Sequence, residues 1–316
     1  MRNTSSDHGR YFAPRIPRSI RDGQASNFGN FRLEYFVLDS SEDLFHAFAF
    51  GLHPRLLVSG SRRLARGLIR DIVHAVTNES LLRTLMDPWI TIERATIPGS
   101  DTELTLLQRN EDFAIRIAGQ PGDLMNSRTH HSEEALAELA CTRLGTLENA
   151  RILVGGLGMG FTLAAALRIV PGSAEVVVAE LVPEVVEWNR GILGQCAGRP
   201  MDDSRTRVHL GDVADLIRHL ARKFDAILLD VDNGPDAMTA SANEWLYSPG
   251  GLRQIYEQLQ PEGIVAIWSA RADQRFASQL KKSGFKVQLR TVRARPGKGS
   301  RHTIFVAQKP GMSSAR

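Results

Sequence analysis

Apolar positions change their period along the chain, and the changes mark its elements. Trp89 to Ala95, Glu103 to Gln108 and Phe113 to Ile117 are short runs rich in β-forming residues. Pro98-Gly99-Ser100-Asp101 and Asn110-Glu111-Asp112 separate them, and Gly119-Gln120-Pro121-Gly122 follows. This pattern predicts a small antiparallel sheet. Ser132 then takes the place of a helix cap, with Glu133 and Glu134 in a first turn where the helix dipole favours acids. From Asn149 onward, apolar runs alternate with helix-period segments. Strands are predicted at Ile152 to Val154, Ala174 to Glu180, Arg207 to Leu210, Phe224 to Val231 and Gly263 to Ser269. Helices are predicted from Phe161, and over Pro183 to Ile192, Val213 to Leu220, Leu252 to Leu259 and Phe276 to Ser283. Phe285 to Val292 and His302 to Ala307 predict a final hairpin, joined by a basic loop from Arg293 to Arg301. The fold class is therefore α/β: a mostly parallel sheet covered on both faces, with one antiparallel strand near its end.

The most informative stretch is the turn after the first strand of this alternation, Gly155-Gly156-Leu157-Gly158-Met159-Gly160. Glycines let a backbone approach a ligand closely, and in an open α/β sheet that approach occurs at the carboxyl ends of the strands. The dinucleotide fingerprint G-x-G-x-x-G, counted from Gly156 and Gly158, would need a third glycine where Phe161 stands. The observed G-x-G-x-G spacing favours an adenosyl-sulfonium ligand over NAD. A turn that only lets helix and strand pack is the plain alternative.

Three acids lie at the same edge of the predicted sheet. Glu180 ends the second strand, 24 residues after Gly156, where a carboxylate can accept from ribose hydroxyls. It is followed by Leu181. Asp212, in Gly211-Asp212-Val213, ends the third strand, where it can accept from the adenine amino group. Asp230 ends the fourth, beside the sulfonium end, in Asp230-Val231-Asp232-Asn233-Gly234-Pro235-Asp236. Taken singly, Asp212 could cap its helix and Asp230 could simply end a strand. Their joint placement favours adenosine. His130 and His131 read as a polar loop before a helix, and no metal-ligand cluster is expected.

Composition alters this picture little. The chain has 316 residues, 42% hydrophobic and 23% charged, which suits a globular protein with a substantial core. The net charge of +4 lies wholly in residues 1–85, with 12 Arg, no Lys and 8 acids; residues 86–316 hold 27 basic and 27 acidic residues. The basic balance therefore belongs to the front of the chain, and a nucleic-acid partner is not expected. No apolar run reaches the ~18 residues of a membrane span, and no secretory h-region is present. Cys141 and Cys196 read as free thiols of a reducing, cytoplasmic compartment. Residues 1 to about 30 are expected to be disordered, and residues 40–85 to hold helical stretches. Met86 is an alternative start. The expected division is an extension (1–85), a small β domain with a linking helix (86–148), a ligand-binding domain (149–310) and a tail (311–316).

Residues 103 to 307 resemble the spermidine synthase group of aminopropyltransferases. The likeness rests on Val154-Gly155-Gly156 with its glycine turn, Val178-Ala179-Glu180-Leu181, Gly211-Asp212, Phe224-Asp225-Ala226-Ile227-Leu228-Leu229-Asp230, and Leu246-Tyr247. It implies a small β domain before a Rossmann-like, methyltransferase-type sheet. It also implies Gly155, Gly156, Gly158, Gly160, Glu180, Leu181, Asp212, Val213 and Asp230 around the cofactor. Asp230 and Asp232 would be catalytic, and Glu133, Asp232 and Tyr247 would hold the amine. The co-substrate implied is decarboxylated S-adenosylmethionine, with a small amine as acceptor and no metal; a homodimer is left open. The chain departs from the family at three places. Gly158 stands where the family's GGGDGG turn has Asp. Asp232 is displaced by one residue from the family's second loop acid. Ser132-Glu133-Glu134-Ala135 replaces the family's Tyr-His/Gln-Glu-Met. A methyltransferase using intact S-adenosylmethionine and a non-catalytic adenosyl-binding relative therefore remain as alternatives.

Overall fold

The computed structural model describes residues 26–28, 31–33 and 87–311, except 145, 220–221 and 232–240. The chain divides into two units, Met1–Leu82 and Arg83–Arg316. In the first, β1 (Ser26–Phe28) pairs antiparallel with β2 (Phe31–Leu33). This β1 strand falls inside the stretch expected to be disordered. The predicted helical stretches of residues 40–85 and the proposed start at Met86 lie outside the described residues.

The second unit begins with a four-stranded antiparallel sheet of β3 (Ile90–Thr96), β4 (Glu103–Arg109), β5 (Asp112–Ile117) and β6 (Met125–Asn126), in that order. The two-residue β6 is too short to give a periodic signal. Helix α1 (His131–Cys141) follows. Its N-cap is His130, which makes no side-chain cap bond. Ser132 therefore lies inside the helix, and the predicted serine cap is corrected. Its hydroxyl is turned inward and is used elsewhere.

The main sheet has seven strands in the order β12-β13-β11-β10-β7-β8-β9. Its parallel members are β7 (Arg151–Gly155), β8 (Glu175–Glu180), β9 (Thr206–Leu210), β10 (Phe224–Leu229) and β11 (Leu259–Ser269). The hairpin of β12 (Lys286–Arg295) and β13 (Lys298–Gln308) closes one edge, with β13 antiparallel to β11. Both strands reach well into the segment expected to be a loop, because Gly297 (φ +72°) allows a tight reversal there. The order of strands reverses at β7, which lies between β8 and β10. That is the switch point where α/β sheets open a crevice.

Alternation along each strand divides the core between two faces. Ile152, Val154, Val176, Val178, Ala226 and Leu228 face one side with α1, α2 (Phe161–Ile169), α3 (Pro183–Arg190) and the small sheet. Leu153, Val177, Ile227, Leu229, Val265 and Ile267 face the other. They pack with α4 (Val213–His219), α5 (Ser241–Tyr247), α6 (Pro249–Gln258) and α7 (Gln274–Lys282). Helix α5 has no counterpart in the sequence reading. The small sheet packs on the face that α2 covers, with Leu104, Leu106, Phe113 and Ile115 in the same core as Val154. It thereby walls one side of the crevice.

Leu228 is fully buried on central strand β10. Leu228→Ala is expected to lower stability by about 2–5 kcal/mol, measured by urea denaturation.

Candidate active site

The first piece of the site is the glycine turn between β7 and α2. Gly156, Gly158 and Gly160 all have positive φ, at +89°, +53° and +81°. A Cβ on Gly156 would come within 2.5 Å of the Asp230 carbonyl oxygen. Gly155 and Gly160 shape the turn but do not line the cavity beside it. Gly155 sits tightly under Leu229 and Val213. Gly160 is the left-handed N-cap of α2. The carbonyl of Gly158 accepts from Asn189 Nδ2 at 2.7 Å.

Glu180, 9% exposed, closes the turn from the next strand. Its Oε2 accepts from the Leu157 N–H and its Oε1 from the Val182 N–H, each at 2.9 Å. Burial pushes its carboxyl above the usual range, while backbone N–H groups of Val182, Leu157, Gly158 and Leu181 pull it back. Each carboxylate oxygen retains acceptor capacity, so ribose hydroxyls can still be bound. Asp212 Oδ1 accepts from the Ala214 N–H at 2.7 Å, so it does cap α4. It also lines the cavity with Leu181 and Val213, which leaves its second oxygen for a ligand.

The cavity has a volume of about 200 Å³ and lies over the crevice between β7 and β10. Glu133, from the first turn of α1, and Asp230, following β10, both line it. Thr162 Oγ1 donates to Asp230 Oδ2 at 2.6 Å and lies 3.4 Å from the Glu133 carbonyl. Burial, and then the Asp230 charge, pushes the Glu133 carboxyl up to about 7; the Ser132 hydroxyl pulls it down. Burial pushes Asp230 up to about 6 against the pull of Thr162. Two buried like charges cannot both form cheaply, so each carboxyl resists ionisation while the other is charged. That arrangement suits a cationic centre.

Ile97, Leu104, Ile115, Leu124 and Met125 of the small sheet and its exit, with Met159 from the turn, form an apolar wall. Met125 Sδ lies 3.0 Å from where a Cβ on Gly158 would stand. Trp268 also lines the cavity, and its buried Nε1 has no hydrogen-bond partner. Among the described residues that line the cavity, four are acidic (Glu133, Glu180, Asp212, Asp230) and none is Lys, Arg or His. No group of three His, Cys, Asp or Glu placed to hold a metal occurs among the described residues, and none of their helices is long and apolar enough to cross a membrane.

The structure thus brings together Gly156, Gly158, Glu180, Leu181, Asp212, Val213, Asp230 and Glu133. Tyr247 is placed elsewhere. It is buried in the core beneath the sheet, edge-on to Phe276, with its hydroxyl donating to the Val231 carbonyl. Asp232 lies outside the described residues. Thr162, Trp268 and Met125 escaped the sequence reading. Thr162 alone had a legible signal, a hydroxyl in the first turn of the helix that follows the glycines. His130 stacks on Phe161 at 4.1 Å.

An acidic, glycine-floored crevice at the switch point of a Rossmann-type sheet is the place where open α/β sheets bind ligands. The family model described as spermine/spermidine synthase domain matches residues 130–287, half of the chain, and the chain belongs to that family. A polyamine aminopropyltransferase of Sulfolobus acidocaldarius is 30% identical over 112 residues, 35% of this chain and 36% of that protein. The chain thus spans about a third of the length of this curated relative. A spermidine synthase solved in complex with the transition-state analogue AdoDATO superposes with a TM-score of 0.54 at 16% identity, covering 69% of this chain and 72% of the other. The spermidine synthase of Thermotoga maritima gives 0.54 at 15% identity, with the same coverage. At such identities the likeness is one of fold.

Because Glu133 is raised from 4.5, the folded state holds a proton that the unfolded state releases between about pH 4.5 and 7. Its contribution to stability therefore falls as pH rises through that window. Glu133→Gln is expected to flatten this fall and to raise the thermal midpoint at pH 8 by about 2–4 °C, read by calorimetry.

Proposed function

We propose that this protein is an aminopropyltransferase that uses decarboxylated S-adenosylmethionine as co-substrate and a small amine as acceptor. The observation that carries the reading is the charge of the cavity: four acids and no basic side chain among its described lining residues. Intact S-adenosylmethionine would bring its own carboxylate against Glu133 and Asp230 with no side-chain cation among the described lining residues to meet it. The decarboxylated form brings only positive charge. Membership of the spermine/spermidine synthase family supports the same choice.

On this reading the glycine turn, Glu180, Leu181, Asp212 and Val213 hold the adenosine. The neutral acceptor amine attacks the carbon next to the sulfonium. Its lone pair forms the new C–N bond as the C–S bond breaks, and methylthioadenosine leaves with the bonding pair on sulfur. The new secondary ammonium then loses a proton. Asp230, fixed by the Thr162 hydroxyl, positions the attacking amine and accepts that proton. An acid raised to about 6 is close enough to neutrality for this task. Glu133 shares the cationic load, and Asp232 orients the acceptor. Much of the rate comes from holding amine and sulfonium in line within a closed site. The free thiols Cys141 and Cys196 fit a reducing, cytoplasmic compartment.

The test is product formation. The purified chain, given decarboxylated S-adenosylmethionine and putrescine, is expected to release methylthioadenosine and form a longer polyamine in equal amounts. Asp230→Asn is expected to lower kcat by at least about 100-fold while leaving methylthioadenosine binding within about 3-fold. Methyl transfer from intact S-adenosylmethionine, without aminopropyl transfer, would overturn the proposal.

A further inference from the structure

A line of polar groups runs from the cavity to the surface of the β12–β13 hairpin. Ser132 Oγ donates to Glu133 Oε2 at 2.9 Å. The same oxygen lies 3.0 Å from His302 Nδ1. His302 Nε2 lies 2.9 Å from the hydroxyl of exposed Ser300. Ser132 is only 1% exposed. A serine hydroxyl has one proton. While that proton points at Glu133, the Ser132 oxygen is an acceptor, and the group facing it must donate. His302 Nδ1–H is that donor, and Nε2 is then free to accept from Ser300.

The ring is held for this role. Trp268, from β11 and the cavity wall, meets it edge-on at 4.7 Å. Its rung of the hairpin places Val292 opposite, and the neighbouring rung pairs Arg293 with Arg301. Burial lowers the tendency of His302 to take a proton. At the other end, the charged groups acting on Glu133 are Asp230 and Glu134, both acids that disfavour its ionisation. The Ser132 hydroxyl is a side-chain donor that favours it.

We propose that His302 is a positioning residue for the cavity: it fixes the Ser132 hydroxyl as a donor to Glu133 and so helps hold that carboxylate ionised and aimed at the cationic part of a bound substrate. The role in substrate binding rests on the aminopropyltransferase reading; the effect of His302 on Glu133 does not.

The test is an infrared titration of the whole chain without substrate. The protonated-carboxyl band that disappears in Glu133→Gln belongs to Glu133, and its midpoint is followed with pH. His302→Phe keeps a ring against Trp268 but removes the donor. His302→Asn returns an N–H near the position of Nδ1. Ser132→Ala removes the hydroxyl itself, and serves should His302→Phe fail to fold. The expected result is a midpoint about 1 pH unit higher in His302→Phe and Ser132→Ala, and near wild type in His302→Asn. Where transfer is measurable, the acid limb of kcat/KM follows the same shifts. A Glu133 midpoint unmoved by His302→Phe would overturn the proposal, as would one moved equally by His302→Asn. Absence of aminopropyl transfer by the wild-type chain would instead defeat the functional reading, with the infrared result still deciding the role of His302.

Discussion

Glu180 ties together the parts that make a ligand site here. One carboxylate receives the N–H of Leu157 in the glycine turn and the N–H of Val182 at the start of α3. Its own backbone carbonyl accepts from Gly211, which leads into Asp212. The turn, the β8–α3 junction and the β9–α4 junction are thus fixed to one another through a single buried residue. Burying a carboxylate is costly unless hydrogen bonds satisfy it, and the backbone donors of this turn supply them. The left-handed glycines make that geometry accessible, and the close approach of Asp230 to Gly156 depends on the missing Cβ.

On the proposed reading adenosine is provided for in this way, and Glu133 and Asp230 set the reacting end. They come from distant parts of the chain and meet where α1 reaches the end of β10. Among the described residues of the cavity lining neither has a basic side chain beside it, and on Glu133 the Asp230 charge and burial act in the same direction. A buried acid pair of this kind costs stability at neutral pH. Met125 of the apolar wall packs over Gly158.

The alternation of apolar runs was enough to read the seven-stranded sheet, its antiparallel closing strand and the small sheet before it. Glycine spacing and acids at strand ends likewise made Gly156, Glu180, Asp212 and Asp230 legible, because strand order at a switch point fixes where such residues go. What sequence could not convey were contacts across long separations. Ser132 looked like a cap because its local pattern is that of one; its hydroxyl is drawn instead to Glu133 and to His302, 170 residues away. The Leu246-Tyr247 motif points Tyr247 at the amine, yet its ring is buried beside Phe276 in the core. Met125 and Trp268 carry no motif, and only the packing of the small sheet and β11 brings them to the cavity.

On the proposed reading, a cavity whose described lining is acidic and holds no Lys, Arg or His selects a ligand whose tail is purely cationic. Calorimetric titration of the whole chain at pH 7.5 with decarboxylated and intact S-adenosylmethionine tests it most directly. The decarboxylated form is expected to bind at least about 10-fold more tightly, a difference of about 1.4 kcal/mol. Equal affinity, or a preference for the intact molecule, would contradict it.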